Sequence, residues 1–231
     1  MKLLSLDTSS LACSVALQVG DDVAWRHEEQ AREHTRILVP MIEAVLAEAG
    51  AKTADLDAIV LGNGPGSFIG MRIGTSVAQG LAHGAGLGVV PVSSLLAVAA
   101  QVIAEEGAGA VAVCQDAHMN EVYLGLYAAG RDGVPVLVGA ERIHDLSVIS
   151  ELELEPGRFT AAGFGWQRYP GLLETNRPLL AGVSRISHPS ARHLLAAGRA
   201  LAAAGAAVDP QDVVPAYLRQ TVAQPSRPHD S

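Results

Sequence analysis

The sequence predicts an α/β fold made of two copies of one βββαβαβα unit, arranged as two lobes, and three observations carry that prediction. The apolar run Ile59-Val60-Leu61 breaks into Gly64-Pro65-Gly66 and resumes with Ile73, Val77 and Leu81 four residues apart, which is strand, tight turn and helix. Ahead of it, Leu3 to Asp7, Cys13 to Val19 and Val23 to His27 read as three short strands joined at Thr8-Ser9-Ser10 and Gly20-Asp21-Asp22. The pattern then restarts, because Val111 to Asp116 is again an apolar strand ending in aspartate, about 109 residues after the first.

The three N-terminal strands predict an antiparallel meander. A helix follows with Leu38, Ile42, Val45, Leu46 and Ala49 on one face; Gly50 closes it, and Pro40 lies near its first turn or kinks it. After the strand Ala58 to Gly62 and the second helix, the glycines of Gly84-Ala85-Gly86-Leu87-Gly88 follow a helix and precede a strand, Val89 to Val92, so they punctuate rather than form a dinucleotide fingerprint. A third helix, Ser94 to Glu106, completes the first lobe, residues 1–106. In the second lobe, residues 107–222, Val122 to Ala128 and Val134 to Val138 flank an Arg131-Asp132-Gly133 turn, and Phe159 to Gly163 reads as a further strand. Trp166 to Pro178 is irregular, and a long helix from about Pro189 to Gly205 is expected to pack back on the first lobe. The polar, Pro-rich residues 223–231 read as a disordered tail. Two such copies are the actin-like ATPase architecture, a ribonuclease H-like fold.

Bulk properties restrict the function. With 231 residues and 49% hydrophobic composition the chain has enough material for a proper core, while only 4% aromatic residues favours close packing of small side chains. A formal charge of −8 argues against a stand-alone nucleic-acid binder, which needs clustered Lys and Arg. Cys13 and Cys114 lie in strand-like segments without CxxC spacing, so a reduced, cytosolic protein is expected. Neither a signal-peptide pattern nor an apolar run of membrane-spanning length occurs, so a membrane role is not expected.

The Gly-rich turn excludes two chemistries. A phosphate-cradling loop needs Lys and Ser/Thr after its second glycine, but Met71 and Arg72 follow Gly70. A nucleophile elbow needs glycines two positions either side of its serine, and Ser67 lacks them. An anion at the free N–H groups of the helix start, or a purely structural turn, remains.

Gly64-Pro65-Gly66-Ser67-Phe68-x-Gly70-x-Arg72-Ile73-Gly74, with Ala78-Gln79-Gly80-Leu81-Ala82 after it, resembles the signature of the TsaB (YeaZ) family, bacterial paralogues of the TsaD threonylcarbamoyl transferases. Leu6-Asp7-Thr8-Ser9, Pro91-Val92-Ser93-Ser94-Leu95, Asp116-Ala117-x-Met119-x-Glu121-Val122-Tyr123 and Pro215-x-Tyr217-Leu218-Arg219 match the same family, so the resemblance spans the chain. The chain departs from the family at Ile69, His118 and Asn120, where Thr, Arg and Gly are usual. The resemblance implies the actin-like (ASKHA) fold and a scaffold that binds TsaD, with TsaE in a ternary complex, for threonylcarbamoyl transfer to the tRNA adenosine beside the anticodon. It also implies self-association into a homodimer when alone, tRNA contact only through the complex, and no cofactor of its own, ATP or ADP lying at most at the partner junction. The alternative is an actin-like nucleotide-dependent enzyme or a metallopeptidase-like protein.

In actin-like folds the first hairpin embraces nucleotide phosphates, which makes Asp7, Thr8 and Ser9 candidates; the competing reading is a strand end and a side-chain-bonded turn. Catalytic paralogues hold a metal with Val-Asn-His-x-x-x-His, and aligning Val92 with that valine puts Ser94 and Val98 at the two histidines, so no metal site and no catalytic residue are expected. His34, in Arg32-x-His34-x-x-x-Leu38-x-Pro40, fits a helix-entry hydrogen bond, and His118 with Glu121 is either a polar pair on the cleft or a solvated edge. Gly70, Gly74, Ala78 and Ala82 recur every four residues, a stripe that lets another helix approach closely. Together with Leu38, Ile42 and Leu46 they either cover their own sheet or form a partner interface; the resemblance favours the interface, and Ala78→Glu is then expected to abolish docking without unfolding the chain.

Overall fold

A computed structural model of the chain describes residues 1–29 and 33–218, so the expected tail and Arg32 and Arg219 of the quoted motifs lie outside the described residues. Its first sheet is built by β1 (Lys2–Asp7), β2 (Cys13–Val19), β3 (Asp22–Glu28), β4 (Ala58–Gly62) and β5 (Gly88–Val92), in the order β3-β2-β1-β4-β5. Strands β1 to β3 are the antiparallel meander, and β4 and β5 join β1 in parallel. The second sheet uses β6 (Ala110–His118), β7 (Glu121–Ala128), β8 (Val136–Leu137), β10 (Phe159–Ala162) and β11 (Leu180–Val183), with β9 (Arg142–Asp145) also pairing with β7. Read as β8-β7-β6-β10-β11, its order is that of the first sheet. The duplication read from Asp7 and Asp116 is real at the level of topology.

Strand alternation sorts the core. Leu4, Leu6, Val15, Leu17, Ile59 and Leu61 face α1 (His34–Glu48) and α2 (Phe68–Ala85), while Leu3, Ala16, Ala58 and Val60 face the opposite side. That opposite side is covered by α6 (Leu195–Ala203), the last α-helix among the described residues. Reciprocally, α3 (Ser94–Glu106), which follows the first sheet in sequence, packs Leu95, Val98, Ala99 and Val102 on Val111, Val113, Tyr123 and Tyr127 of the second. The two inner helices are therefore exchanged between the sheets. The outer face of the second sheet is closed by Trp166 of α4 (Phe164–Arg168) and Leu172 of α5 (Pro170–Asn176).

The second copy departs from the ideal unit for local reasons. Where a counterpart of α1 would stand, residues 146–158 run without a helix, and Asn176 fixes them by accepting from Leu152 N (2.6 Å) and donating to Ser150 O (3.2 Å). The last helix is shorter than expected. Ser5 Oγ donates to Ala191 O (2.8 Å) and Ala191 N donates to Ser14 Oγ (2.9 Å), so side chains of the first sheet hold the backbone there outside a helical ladder and only a 3-10 turn, Ala191–Leu194, forms.

Candidate functional site

The β1–β2 turn and the start of α2 interlock. Ser67 caps α2, its Oγ accepting from Gly70 N (3.2 Å), and its own N–H donates to Ser9 O (2.6 Å). Thr8 Oγ1 donates to Gly70 O (2.7 Å). A side chain at Gly62 would overlap the Asp7 carboxyl, one at Gly66 the backbone of Ser9, one at Gly70 the backbone of Thr8, and one at Gly74 the Thr8 hydroxyl. The glycines of the signature thus fit α2 against residues 7–9 of this same chain.

This corrects the expected docking face. Leu38, Ile42, Ala78 and Ala82 are buried in the core under α1 and α2, Leu46 packs half-buried on it, and Gly70 and Gly74 are buried against Thr8. Close approach is what the small residues permit, but the approaching group is the chain's own turn and sheet. A carboxylate at Ala78 would be buried without a counter-charge, so Ala78→Glu would unfold the chain rather than isolate docking. What α1 and α2 leave exposed is a different set: Val39 (46% accessible), Phe68 (42%) and Ile69 (70%), with Pro40 and Arg72.

The candidate nucleotide residues are likewise committed. Asp7 is 1% accessible, and its carboxyl accepts from Ser9 N (2.8 Å), Ser9 Oγ (2.7 Å) and Ser94 Oγ (2.6 Å). Burial pushes its pKa up to about 6 against the lowering effect of the hydrogen bonds from Ser94 and Ser9. Ser94 Oγ also accepts from Gly64 N (3.0 Å), and Val98 is wholly buried against the second sheet. At the two positions aligned with metal-binding histidines the chain has a structural hydroxyl and a core valine.

Between the sheets lies a cleft of about 820 Å³ whose walls are the equivalent turns of the two copies, Ser9, Ser10, Gly66 and Ser67 on one side and Gln115, Asp116 and His118 on the other. Leu11, Ile69, Ile73 and Phe164 make much of the rest apolar. Among the described residues its lining includes His34, His118 and His188 but no Lys or Arg, and the Ser9 hydroxyl is spent on Asp7. Among the described residues a nucleotide triphosphate would meet no fixed cation and one carboxylate, a lining that does not fit the phosphates that actin-like folds hold here. Among the described residues no group of three or more His, Cys, Asp or Glu side chains is placed to hold a metal.

His34, the first residue of α1, has Nε2 at 3.1 Å from Ser10 O and 3.2 Å from Ala12 O, the helix-entry bond expected of it. His118 turns to Asp116, with Nδ1 at 3.4 Å from Oδ2, and Asp116 also accepts from Tyr169 OH (2.9 Å). His118, Met119 and Asn120 all take positive φ (60°, 54° and 61°), a strained way to close the β6–β7 hairpin for non-glycine residues. Burial pushes the Cys13 thiol up to about 12 and that of Cys114 higher still, so neither is a thiolate nucleophile.

One structural arrangement was not read from the sequence. Residues 213–218 cross from one lobe to the other: Val213 is buried in the core under α1 and α2, and Leu218 packs on the core between α3 and the second sheet. Asn63 donates to Val214 O (3.0 Å) and accepts from Ala216 N (3.1 Å), and Arg72 Nε donates to Tyr217 OH (3.1 Å). The Tyr217 ring lies 5.5 Å from that of Phe68, over which Arg72 also sits at 3.8 Å. The signal was present, since Phe68 and Arg72 in one motif and Tyr217 in another are the aromatic and cationic residues that such a clasp joins.

A duplicated sheet, exchanged inner helices and an interlobe cleft define an actin-like two-lobed protein. Consistent with that class, a family model described as "TsaD: tRNA N6-adenosine threonylcarbamoyltransferase" matches residues 27–155. The chain is 34% identical over 224 residues, 96% of each chain, to the "tRNA threonylcarbamoyladenosine biosynthesis protein TsaB" of Escherichia coli (strain K12). It is 36% identical over 231 residues to the protein of the same name from Haemophilus influenzae, covering 96% of this chain and 95% of that one. The solved structure "YeaZ from Pseudomonas aeruginosa" superposes with a TM-score of 0.86 at 35% identity over 94% of this chain and 99% of that one. The chain belongs to the TsaB (YeaZ) family.

Proposed function

We propose that the chain is a non-catalytic subunit of tRNA threonylcarbamoyladenosine synthesis, a cytoplasmic scaffold that binds a TsaD-type threonylcarbamoyltransferase, with TsaE completing the assembly. The observation that carries this reading is the replacement of catalytic machinery by packing: Ser94 holds Asp7 and Val98 fills the core, while among the described residues the cleft offers phosphates no cation. Membership of a family named for this biosynthesis supplies the pathway. The docking surface of this reading is formed by the exposed residues Val39, Phe68 and Ile69 of α1 and α2, the last of them also lining the cleft, in place of the buried stripe. Because a TsaD-type partner shares the fold, the same face would serve a homodimer in its absence. ATP or ADP, if part of the assembly, belongs at the partner junction or in the partner.

Size-exclusion co-elution with TsaD from the same organism tests the reading. Wild type is expected to form a complex, and Ile69→Asp to lose it while keeping its unfolding midpoint. A chain that elutes alone, or an Ile69→Asp variant that binds as well as wild type, contradicts the proposal or its placement respectively.

A further inference from the structure

Beside the interlobe cleft, and sharing His188 with it, a second concavity of about 280 Å³ gathers seven titratable side chains, the other six of which nothing above uses. Trp25, His27 and Glu29 reach it from β3 and its end, Glu105 from α3, and Arg185, His188, Arg192 and His193 from the segment between β11 and α6. Its carboxylates are engaged: Glu29 lies 3.6 Å from His27 Nε2, and Glu105 lies 3.2 Å from His193 Nε2 while accepting from Gln101. Its guanidiniums are not, because neither Arg185 nor Arg192 has an ion pair among the described residues, and Arg192 has only the Trp25 ring at 5.9 Å. His188 is 7% accessible and its Nδ1 has no hydrogen-bond partner among the described residues, as does the buried Nδ1 of His27. In a chain of net charge −8, two unpaired arginines and three imidazoles on one small concavity are a local excess of donors.

We propose that this concavity binds a small tetrahedral oxyanion, the phosphate group of a phosphorylated metabolite, with Arg185 and Arg192 as its charged clamps and the histidines as further N–H donors. Guanidinium forks match phosphate oxygens in geometry, and the buried His188 stands beside them. Burial holds His188 and His193 below the usual histidine value, opposed at His188 by Glu29 and at His193 by Glu105. An anion between them favours their charged forms, so binding takes up protons and tightens as pH falls. The site is independent of the docking reading, and its failure leaves that reading untouched.

Equilibrium dialysis with radiolabelled orthophosphate, on the whole chain at millimolar protein, is the test. One phosphate per chain is expected, with acetate binding more weakly. Arg185→Gln with Arg192→Gln should lose at least about tenfold in affinity, the scale of one charge-assisted hydrogen bond. Both side chains are exposed, and unchanged circular dichroism and unfolding midpoints of the double variant establish that the loss is local. Sulfate, which does not titrate in this range, should bind several-fold more weakly at about pH 8 than at about pH 6. No retained phosphate, equal retention by the double variant, or a pH-independent sulfate affinity overturns the proposal.

Discussion

Alanine at Gly70 tests the claim that the glycine stripe fits α2 to the chain's own turn. A Cβ there would come closer than 3.0 Å to the Thr8 carbonyl oxygen, a backbone atom anchored in the β1–β2 turn that cannot rotate away. Either the helix shifts by the better part of a van der Waals contact or the turn does, at the overpacking cost of about 1–3 kcal/mol. A shift also weakens the hydrogen bond from Thr8 Oγ1 to Gly70 O (2.7 Å), worth about 1 kcal/mol. Against both stands the intrinsic helix preference for alanine over glycine, about 1 kcal/mol. The net expectation is a loss of about 1–3 kcal/mol, read as a lower urea midpoint with an unchanged slope. Gly80, in the same helix, is the control: nothing lies within 4 Å of its Cβ position, so Gly80→Ala should gain up to about 1 kcal/mol. A Gly70→Ala variant as stable as Gly80→Ala would refute the close approach.

Further substitutions probe the cleft and its clasp. Arg72→Ala should lose about 1 kcal/mol and expose residues 213–218 to faster limited proteolysis, since both the bond to Tyr217 and the stacking on Phe68 disappear. Asp7 has its folded pKa raised from 3.8 to about 6, so the folded chain binds the extra proton and this group's contribution to stability falls as pH rises from about 4 to 6, then stays level. Asp7→Asn should therefore gain up to about 3 kcal/mol relative to wild type above pH 6 and nothing near pH 4, in paired denaturation curves. Asn120→Gly relieves one of three consecutive positive-φ positions and should raise the thermal midpoint by the equivalent of about 1 kcal/mol.

The first lobe was legible nearly residue by residue, because each strand has a two-residue alternation or a short apolar run and each helix a clear end, such as Gly86 after α2 or Gly107 after α3. The second was not, for reasons that lie in tertiary bonds. Strand β9 has four residues, three of them polar or charged, and exists because β7 offers it an edge. Residues 189–194 have helical composition, yet Ser5 and Ser14, far away in sequence, take the backbone groups of Ala191. The site shows the same limit. The four-residue recurrence of small residues was visible, but its meaning depended on what stood opposite. One cue was available: Gly62 and Gly66 extend the stripe backwards into strand and turn, where a partner helix could not follow.

Reconstituted threonylcarbamoyl transfer tests the central claim most directly. Supplied with threonylcarbamoyl-AMP and unmodified tRNA, the TsaD-type enzyme with TsaE is expected to modify the adenosine only when this chain is added, and the chain by itself to give no product. Product formed by the purified chain alone, or full activity of the other components without it, would contradict the account.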